Sequence, residues 1–322
     1  ISLPTPLQAG SPYTLEAKHI ADCSGNVSME PQSFTFYLPE QHHKGDILIS
    51  EILFHPRSGG VDFVELYNHS SRHISLKNWK LAIERSDGLD LFTISEGAKV
   101  MAPATYLALC EDTSRLLADY PMAFRDGTMF ELEDFPNLLA DGGTLWLLDD
   151  QDSIMQSVHY TPDWHHPLLQ DKRGVSLERI SWNGTETEAQ IWQSAASTSG
   201  FATPGYQNSQ WMAQQSSTEM LLADPAIFYP DQSGYLDYTR IYLSSVGPGS
   251  MGNLKIFDPQ GRLVRRLAQN ASLAEKQVFI WDGTDDQHRR AKNGYYIIWA
   301  ETFDTNGRMR ISKAKVAIGS RY

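Results

Sequence analysis

Short runs rich in β-branched and aromatic residues recur along the chain, each bounded by Gly, Pro, Asn or Asp. They include Asp46–Phe54, Val61–Asn68, Tyr106–Cys110, Thr144–Leu148, Ser153–Tyr160 and Val175–Ile180, and later Tyr238–Leu243, Leu254–Phe257, Val278–Trp281, Tyr295–Ala300 and Ile311–Ile318. Runs of this kind predict strands. Between them stand turn signals: Ser58-Gly59-Gly60, Asp87-Gly88, Asp141-Gly142-Gly143, Pro259-Gln260-Gly261 and Thr305-Asn306-Gly307. Many short strands with regular turns predict an all-β chain of sandwiches rather than an α/β fold. One helix is predicted over Asp112–Tyr120, capped by Asp112 or Thr113, stopped by Pro121 and bridging two strands.

The pattern divides the chain into units. Residues 1–44 hold two or three strands, with Tyr13–Ala17 and Ser33–Tyr37 flanking the turn Asp22–Asn26. That is too little for a sandwich of its own, so these strands either add to the central unit or, the favoured reading, form the tail of a further domain with an unpaired edge. Residues 45–211 form the large central unit, 212–223 a Gln/Ser-rich linker, and 224–322 a last sandwich. In Asp62–Asn68, Phe63, Glu65 and Tyr67 share one face and Val64 and Leu66 the other. Both faces are partly apolar, as in a central strand. Glu65 then needs a partner, because a buried carboxylate alone is costly. Arg179 or a backbone turn would serve.

Composition narrows the picture. The chain has 322 residues, 41% of them hydrophobic, and a formal net charge of -12. That apolar content supports real cores, and the acidic balance disfavours binding to a phosphate backbone. Only two cysteines occur, Cys23 and Cys110, in different predicted units, so a disulfide between them is not expected. No run approaches the ~20 apolar residues of a membrane-spanning helix. The chain begins at Ile1, with neither a Met nor a signal peptide; it is expected to be a mature or trimmed piece of something longer.

The central unit resembles the lamin-tail domain, an immunoglobulin-like β-sandwich of nuclear lamins and many exported bacterial proteins. The resemblance lies in Ile49-Ser50-Glu51-Ile52-Leu53 with Pro56, Asp62–Asn68, Ile74-Ser75-Leu76 with Trp79 and Leu81, and Pro103 with Tyr106–Leu109. It continues through Asp141-Gly142-Gly143 with Leu145, Leu147 and Asp149, then Gly174–Ile180, Trp192 with Ser194, and Thr203-Pro204-Gly205 with Asn208. The stretch Tyr160–Asp171 is longer than a minimal hairpin. The last unit resembles the immunoglobulin-like domain of flagellar hook-capping proteins and related C-terminal domains that act in type IX secretion. The residues are Phe228-Tyr229-Pro230-Asp231, Lys255–Leu267, Trp281-Asp282-Gly283 and Gly294-Tyr295-Tyr296. Trp281 and Tyr295 are expected as its core anchors. Tyr13-Thr14-Leu15 and Asp22–Asn26 resemble the end of a bacterial immunoglobulin-like surface-layer repeat. Together the resemblances imply tandem immunoglobulin-like β-sandwiches.

Catalytic chemistry is thinly represented. There is no G-x-S-x-G, P-loop, H-E-x-x-H or C-x-x-C. Cys110 precedes Glu111 and Asp112, which would raise its thiol pKa. His159, Asp163 and His165 are the metal candidates, although adjacent His165 and His166 converge only through a turn, for which Pro162 and Pro167 are placed. Asp282, Asp285 and Asp286 lack the alternating order of a calcium loop. Trp164, His165 and His166 are the ligand candidates, as an aromatic loop of the kind that stacks on sugars or proteins. The expectation is therefore a non-enzymatic structural or adhesive module of an exported bacterial surface protein, with no catalytic residue and no cofactor. Its partners would be extracellular protein or carbohydrate, not nucleic acid, and its C-terminal unit would serve sorting or anchoring. The alternative is a set of accessory domains of a larger secreted hydrolase.

Overall fold

The computed structural model describes residues 6–28, 30–85, 88–123, 128–166, 169, 171–182, 191–211, 220–231, 236–245 and 247–320. An N-terminal hairpin pairs β1 (Pro12–Ala17) with β2 (Gln32–Tyr37). Its base is fastened where Glu40 N donates to His73 O, His73 N donates to Glu40 Oε2, and Tyr37 stacks on His73. Leu15 and Phe34, directly opposite one another, remain 50% and 65% exposed.

The central region runs through β3 (Ile47–Leu53), β4 (Phe63–Asn68), β5 (Ile74–Ser75), β6 (Lys80–Arg85), β7 (Gly88–Thr93), β8 (Val100–Met101), β9 (Tyr106–Cys110) and α1 (Thr113–Asp119). It continues with β10 (Met129–Glu131), β11 (Gly143–Leu148), β12 (Ile154–Tyr160), β13 (Leu177–Arg179) and β14 (Trp192–Ser194). One sheet has the order β10-β9-β4-β3-β13-β14 and faces a second of order β12-β11-β6-β7. Ile49, Ile52, Val64, Leu66, Leu109, Leu177 and Trp192 meet Trp79, Leu81, Leu145, Leu147 and Val158 in the core between them. Gln156 ties the two layers, its Oε1 accepting from Ile49 N at 2.6 Å.

The six-stranded sheet is buried on both faces. As expected, β4 is central, between β3 and β9. Opposite the main core, Leu53, Phe63, Ala108 and Cys110 pack under Leu116 and Tyr120. The predicted helix is thus a lid: Asp112 caps it by accepting from Arg115 N, and it ends at Tyr120. The rest of this face is covered by a strap, residues 195–211, that follows β14.

The C-terminal region contains β15 (Leu221–Asp224), β16 (Ile227–Phe228), β17 (Thr239–Ser244), β18 (Met251–Phe257), β19 (Leu263–Ser272), β20 (Lys276–Trp281), β21 (Gly294–Phe303) and β22 (Met309–Ile318). Sheets of order β15-β17-β20 and β16-β22-β21-β18-β19 enclose Phe228, Ile241, Leu254, Ile256, Trp281, Tyr296 and Ile298. β15 begins inside the stretch expected as linker, and residues 212–219 of that stretch lie outside the described residues. The molecule is all-β, with tandem immunoglobulin-like β-sandwiches.

One expected anchor is corrected. Trp281 is fully buried, but Tyr295 is 61% exposed and its neighbour Tyr296 takes the core position. Side chains alternate along a strand, and β21 points Tyr296, Ile298 and Ala300 inward. Tyr296 meets Trp281 edge to face at 5.0 Å and donates its hydroxyl to Lys292 O.

Five turns repeat one local device. Asp22, Asp149, Asp258, Asp285 and Asp304 each accept two backbone N–H groups on Oδ1, from the residues two and four places on. The fourth residue of each turn has positive φ: Gly25, Asp152, Gly261, His288 and Gly307. An Asp side chain that mimics a backbone turn, followed by a left-handed residue, closes a short hairpin. Asp285 therefore anchors a turn, and Asp286 pairs with Arg266.

Candidate functional site

The loop nominated from sequence is folded inward. Thr161 Oγ1 accepts from Asp163 N and starts a short 3-10 turn over Pro162–Trp164, the turn expected of Pro162; Pro167 lies outside the described residues. Trp164 is half-buried and stacks on Trp192 of the core at 6.2 Å. His165 and His166 are 3% and 7% exposed. Ser194 Oγ lies 3.0 Å from His165 Nδ1 and accepts from His166 N. This corrects the picture of an exposed aromatic loop, because the rings complete the sandwich beside Phe54 and Trp192. Burial pushes the His165 pKa down to about 4. His159 stands exposed on β12 against Thr144, and Asp163 is exposed on the turn. Among the described residues the metal candidates His159, Asp163 and His165 do not gather. The grouping that does gather is His42, Asp149 and Asp150. There His42 Nε2 meets Asp149 Oδ2 at 3.2 Å, while Asp149 Oδ1 anchors the β11–β12 turn.

A second cluster of titratable groups lies on the strap side of the six-stranded sheet. Glu65 on β4, Glu51 on β3 and Glu178 on β13 lie directly opposite one another across three neighbouring strands, and all are 0% exposed. A β-bulge puts them there. Ile49 pairs with Leu66 and Glu51 with Glu65, leaving Ser50 as the extra residue. The bulge lets Ile49 and Ile52 both face the main core while Glu51 turns to the strap side.

Every carboxylate oxygen has a partner. Glu51 Oε1 accepts from Ser176 Oγ and from Thr203 N at 2.9 Å. Glu65 accepts from Ser50 Oγ at 2.7 Å and Gly205 N at 2.6 Å. Glu178 Oε2 accepts from Ser209 Oγ and Gln210 N, both at 2.8 Å. Thr203 Oγ1 lies 3.0 Å from Glu51 Oε2 and 2.8 Å from Glu178 Oε1. Among the described residues no Lys, Arg or His pairs with these carboxylates. The partner that Glu65 needs is a backbone turn, Thr203-Pro204-Gly205, rather than Arg179, whose side chain alternates to the opposite face of β13.

Burial and the neighbouring Glu178 charge push the Glu51 pKa up to about 8. Burial and the Glu51 charge hold Glu65 well above the usual carboxylate range, and burial raises Glu178. A hydroxyl has one hydrogen, so Thr203 can donate to only one of Glu51 and Glu178, and a carboxyl O–H on either glutamate would complete the second contact. The cluster is sealed from solvent and no substrate reaches it, so its chemistry is cohesive. Asn208 finishes the closure, its Nδ2 donating to Ser50 O and Arg179 O.

Sequence reasoning identified Glu65 but missed Glu51, Glu178 and the bridge. The signal was present in Ile49–Leu53, Gly174–Ile180 and Thr203-Pro204-Gly205, each of which contributes a member of the cluster.

The strap also grips the C-terminal sheets. Glu275 N donates to Ser209 O at 3.0 Å, Gln210 Nε2 to Leu273 O at 3.3 Å, Gly249 N to Gln210 Oε1 at 3.1 Å, and Ser197 Oγ to Ser272 O at 3.0 Å. Ser209 and Gln210 thus hold Glu178 on one side and the second sandwich on the other.

Comparison with known proteins agrees with the central part of this picture. No curated protein matches the chain. Among solved structures, PorZ of Porphyromonas gingivalis, described as an essential bacterial surface component of the type-IX secretion system, is 12% identical over 94% of this chain and 45% of its own, with a TM-score of 0.26. Dimeric latent PorU from the same bacterium is 12% identical over 90% of this chain and 22% of its own, at 0.25. A Ca2+-stabilized adhesin with which an Antarctic bacterium binds ice is 8% identical over 96% of this chain and 57% of its own, at 0.19. The chain spans less than half of either Porphyromonas protein, and at these scores the likenesses carry no functional argument. The family model of the Lamin Tail Domain matches residues 40–162, the stretch that holds β3 to β12 of the central sandwich.

Proposed function

We propose that the chain is a non-enzymatic structural or adhesive module of an exported bacterial surface protein, in which the C-terminal sandwich serves sorting or anchoring. The observation that carries this reading is the strap. Three buried glutamates are sealed beneath residues 195–211, all six oxygens engaged, and the same residues fasten the next sandwich. A lamin tail domain joined in this way is suited to spacing or displaying material, not to turning over a substrate. The amphipathic N-terminal hairpin supports a further unit before it. Tyr13, Leu15, Phe34 and Phe36 share one face by strand alternation and register, and Leu15 and Phe34 are open to solvent. A two-stranded hairpin is marginal alone, so that face belongs against another sheet.

The test is surface labelling of intact cells making the full-length protein, with and without residues 224–322. Loss of labelling with the protein retained inside supports sorting by the C-terminal sandwich. Undiminished display assigns that sandwich to spacing or binding and overturns the sorting role.

A further inference from the structure

The joint between the two sandwiches contains more than is needed to close a surface. Three carboxyl groups face one another in a water-excluded layer, on strands that hold them in register, and the strap that covers them supplies most of their donors. Among the described residues, the titratable groups that face them from the surrounding elements are tyrosines: Tyr106 from β9, Tyr206 from the strap and Tyr120 from the end of α1. Burial raises all three phenols, so they stay neutral alongside the cluster. No cation among the described residues balances a fully ionised triad. The bridge Glu51–Thr203–Glu178 holds together only while it keeps a carboxyl proton.

We propose that this proton bridge is a pH-sensitive latch, which keeps the strap, and through it the C-terminal sandwich, docked in acid and neutral solution and releases both in alkaline solution. Hydroxide takes the bridging carboxyl proton and forms water. Glu51 and Glu178 are then both anions, and Thr203 can donate to only one of them. Two neighbouring buried charges repel strongly where water is excluded. The element free to move is the strap, because β3, β4 and β13 are fixed by their ladders. Ser209 and Gln210 donate to Glu178 and also bind Glu275, Leu273 and Gly249. Their displacement therefore loosens the joint itself. Trp211, at the end of the strap, packs with its ring tilted at 4.7 Å against Trp182, which is stacked at 4.4 Å on Tyr67. That stack provides a built-in reporter.

The experiment is hydrogen exchange with mass-spectrometric readout on the full chain between about pH 6 and about pH 9.5, comparing protection factors of strap peptides with those of β21, together with tryptophan fluorescence. In the wild type, strap protection is expected to fall at least about tenfold relative to β21 across that range, the equivalent of one pKa unit, with a change in Trp211 emission. Glu51→Gln carries a permanently neutral side chain whose amide can donate to Thr203, and it should flatten both changes. Glu178→Gln, on the other side of the same bridge, should do likewise and serves if the first variant does not fold. An infrared band of a protonated carboxyl in the wild type at neutral pH, missing from Glu51→Gln, would identify the proton directly. The latch is overturned if wild-type strap and β21 protection run in parallel across the range, if a folded Gln variant keeps the wild-type profile, or if no carboxyl band is present.

Discussion

Replacing Thr203 by Val removes one oxygen and leaves the shape of the strap nearly unchanged. The lost hydroxyl is fully buried and touches Glu51 Oε2 at 3.0 Å and Glu178 Oε1 at 2.8 Å. No water can take its place, so two buried carboxyl oxygens each lose a partner. A buried polar group left unsatisfied costs about 1–3 kcal/mol. The backbone N–H of Thr203 still donates to Glu51, and Ser209 and Gln210 still hold Glu178. The expected loss is therefore about 2–4 kcal/mol, below two full penalties. Thr203→Ser keeps the hydroxyl and should lose less than about 1 kcal/mol, chiefly the methyl packing. The assay is urea denaturation of the full chain followed by tryptophan fluorescence, reading the transition of the central sandwich. A Val variant within about 0.5 kcal/mol of wild type, the range of ordinary surface changes, would refute the idea that the bridge holds the strap.

Gly205→Ala should destabilise the central sandwich by about 1–3 kcal/mol in the same assay, because the residue has φ of +90° and its new Cβ would lie 2.4 Å from Thr128 Oγ1. Tyr296→Ala should cost about 3–5 kcal/mol in the C-terminal transition, whereas Tyr295→Ala should cost less than about 0.5 kcal/mol; equal effects would contradict the inward parity of β21. His165, held near pKa 4 against an ordinary 6.5, binds fewer protons folded than unfolded. Its contribution is present above about pH 6.5 and is lost as pH falls towards 4, by at most about 3 kcal/mol; denaturation at stepped pH should show this slope, and His165→Phe should remove it. Cys110 is buried with its thiol pushed up to about 12, while Cys23 is exposed. A thiol reagent at about pH 8 should label one cysteine in the native chain and two in denaturant.

The two-residue alternation in Asp62–Asn68 and the Gly, Pro, Asn and Asp boundaries of the other runs were enough to determine the sandwiches, because strand and turn preferences are local. The Asp-anchored turns are local in the same way: each is complete within five residues, so Pro259-Gln260-Gly261 and Thr305-Asn306-Gly307 announce themselves. The helix from Thr113 to Asp119 was legible from Asp112 and Pro121, but its role as a lid was not, since its own residues do not say which sheet face lies bare. Parity at Tyr295 and Tyr296 was beyond local reading as well. Two adjacent tyrosines fit either face, and packing against Trp281 chose between them. The ligand and metal candidates around Trp164 and His165 looked like surface chemistry because a polar, Pro-containing stretch resembles a loop; contacts to Trp192 and Ser194 drew it into the core. The glutamate triad shows the limit most clearly. Glu51, Glu65, Glu178 and Thr203 are spread over more than 150 positions, and three acids along a chain predict repulsion. Only the register of three strands, the bulge at Ser50 and the closure of the strap bring them together, because a buried carboxylate is tolerable only when tertiary structure supplies its donors and its proton.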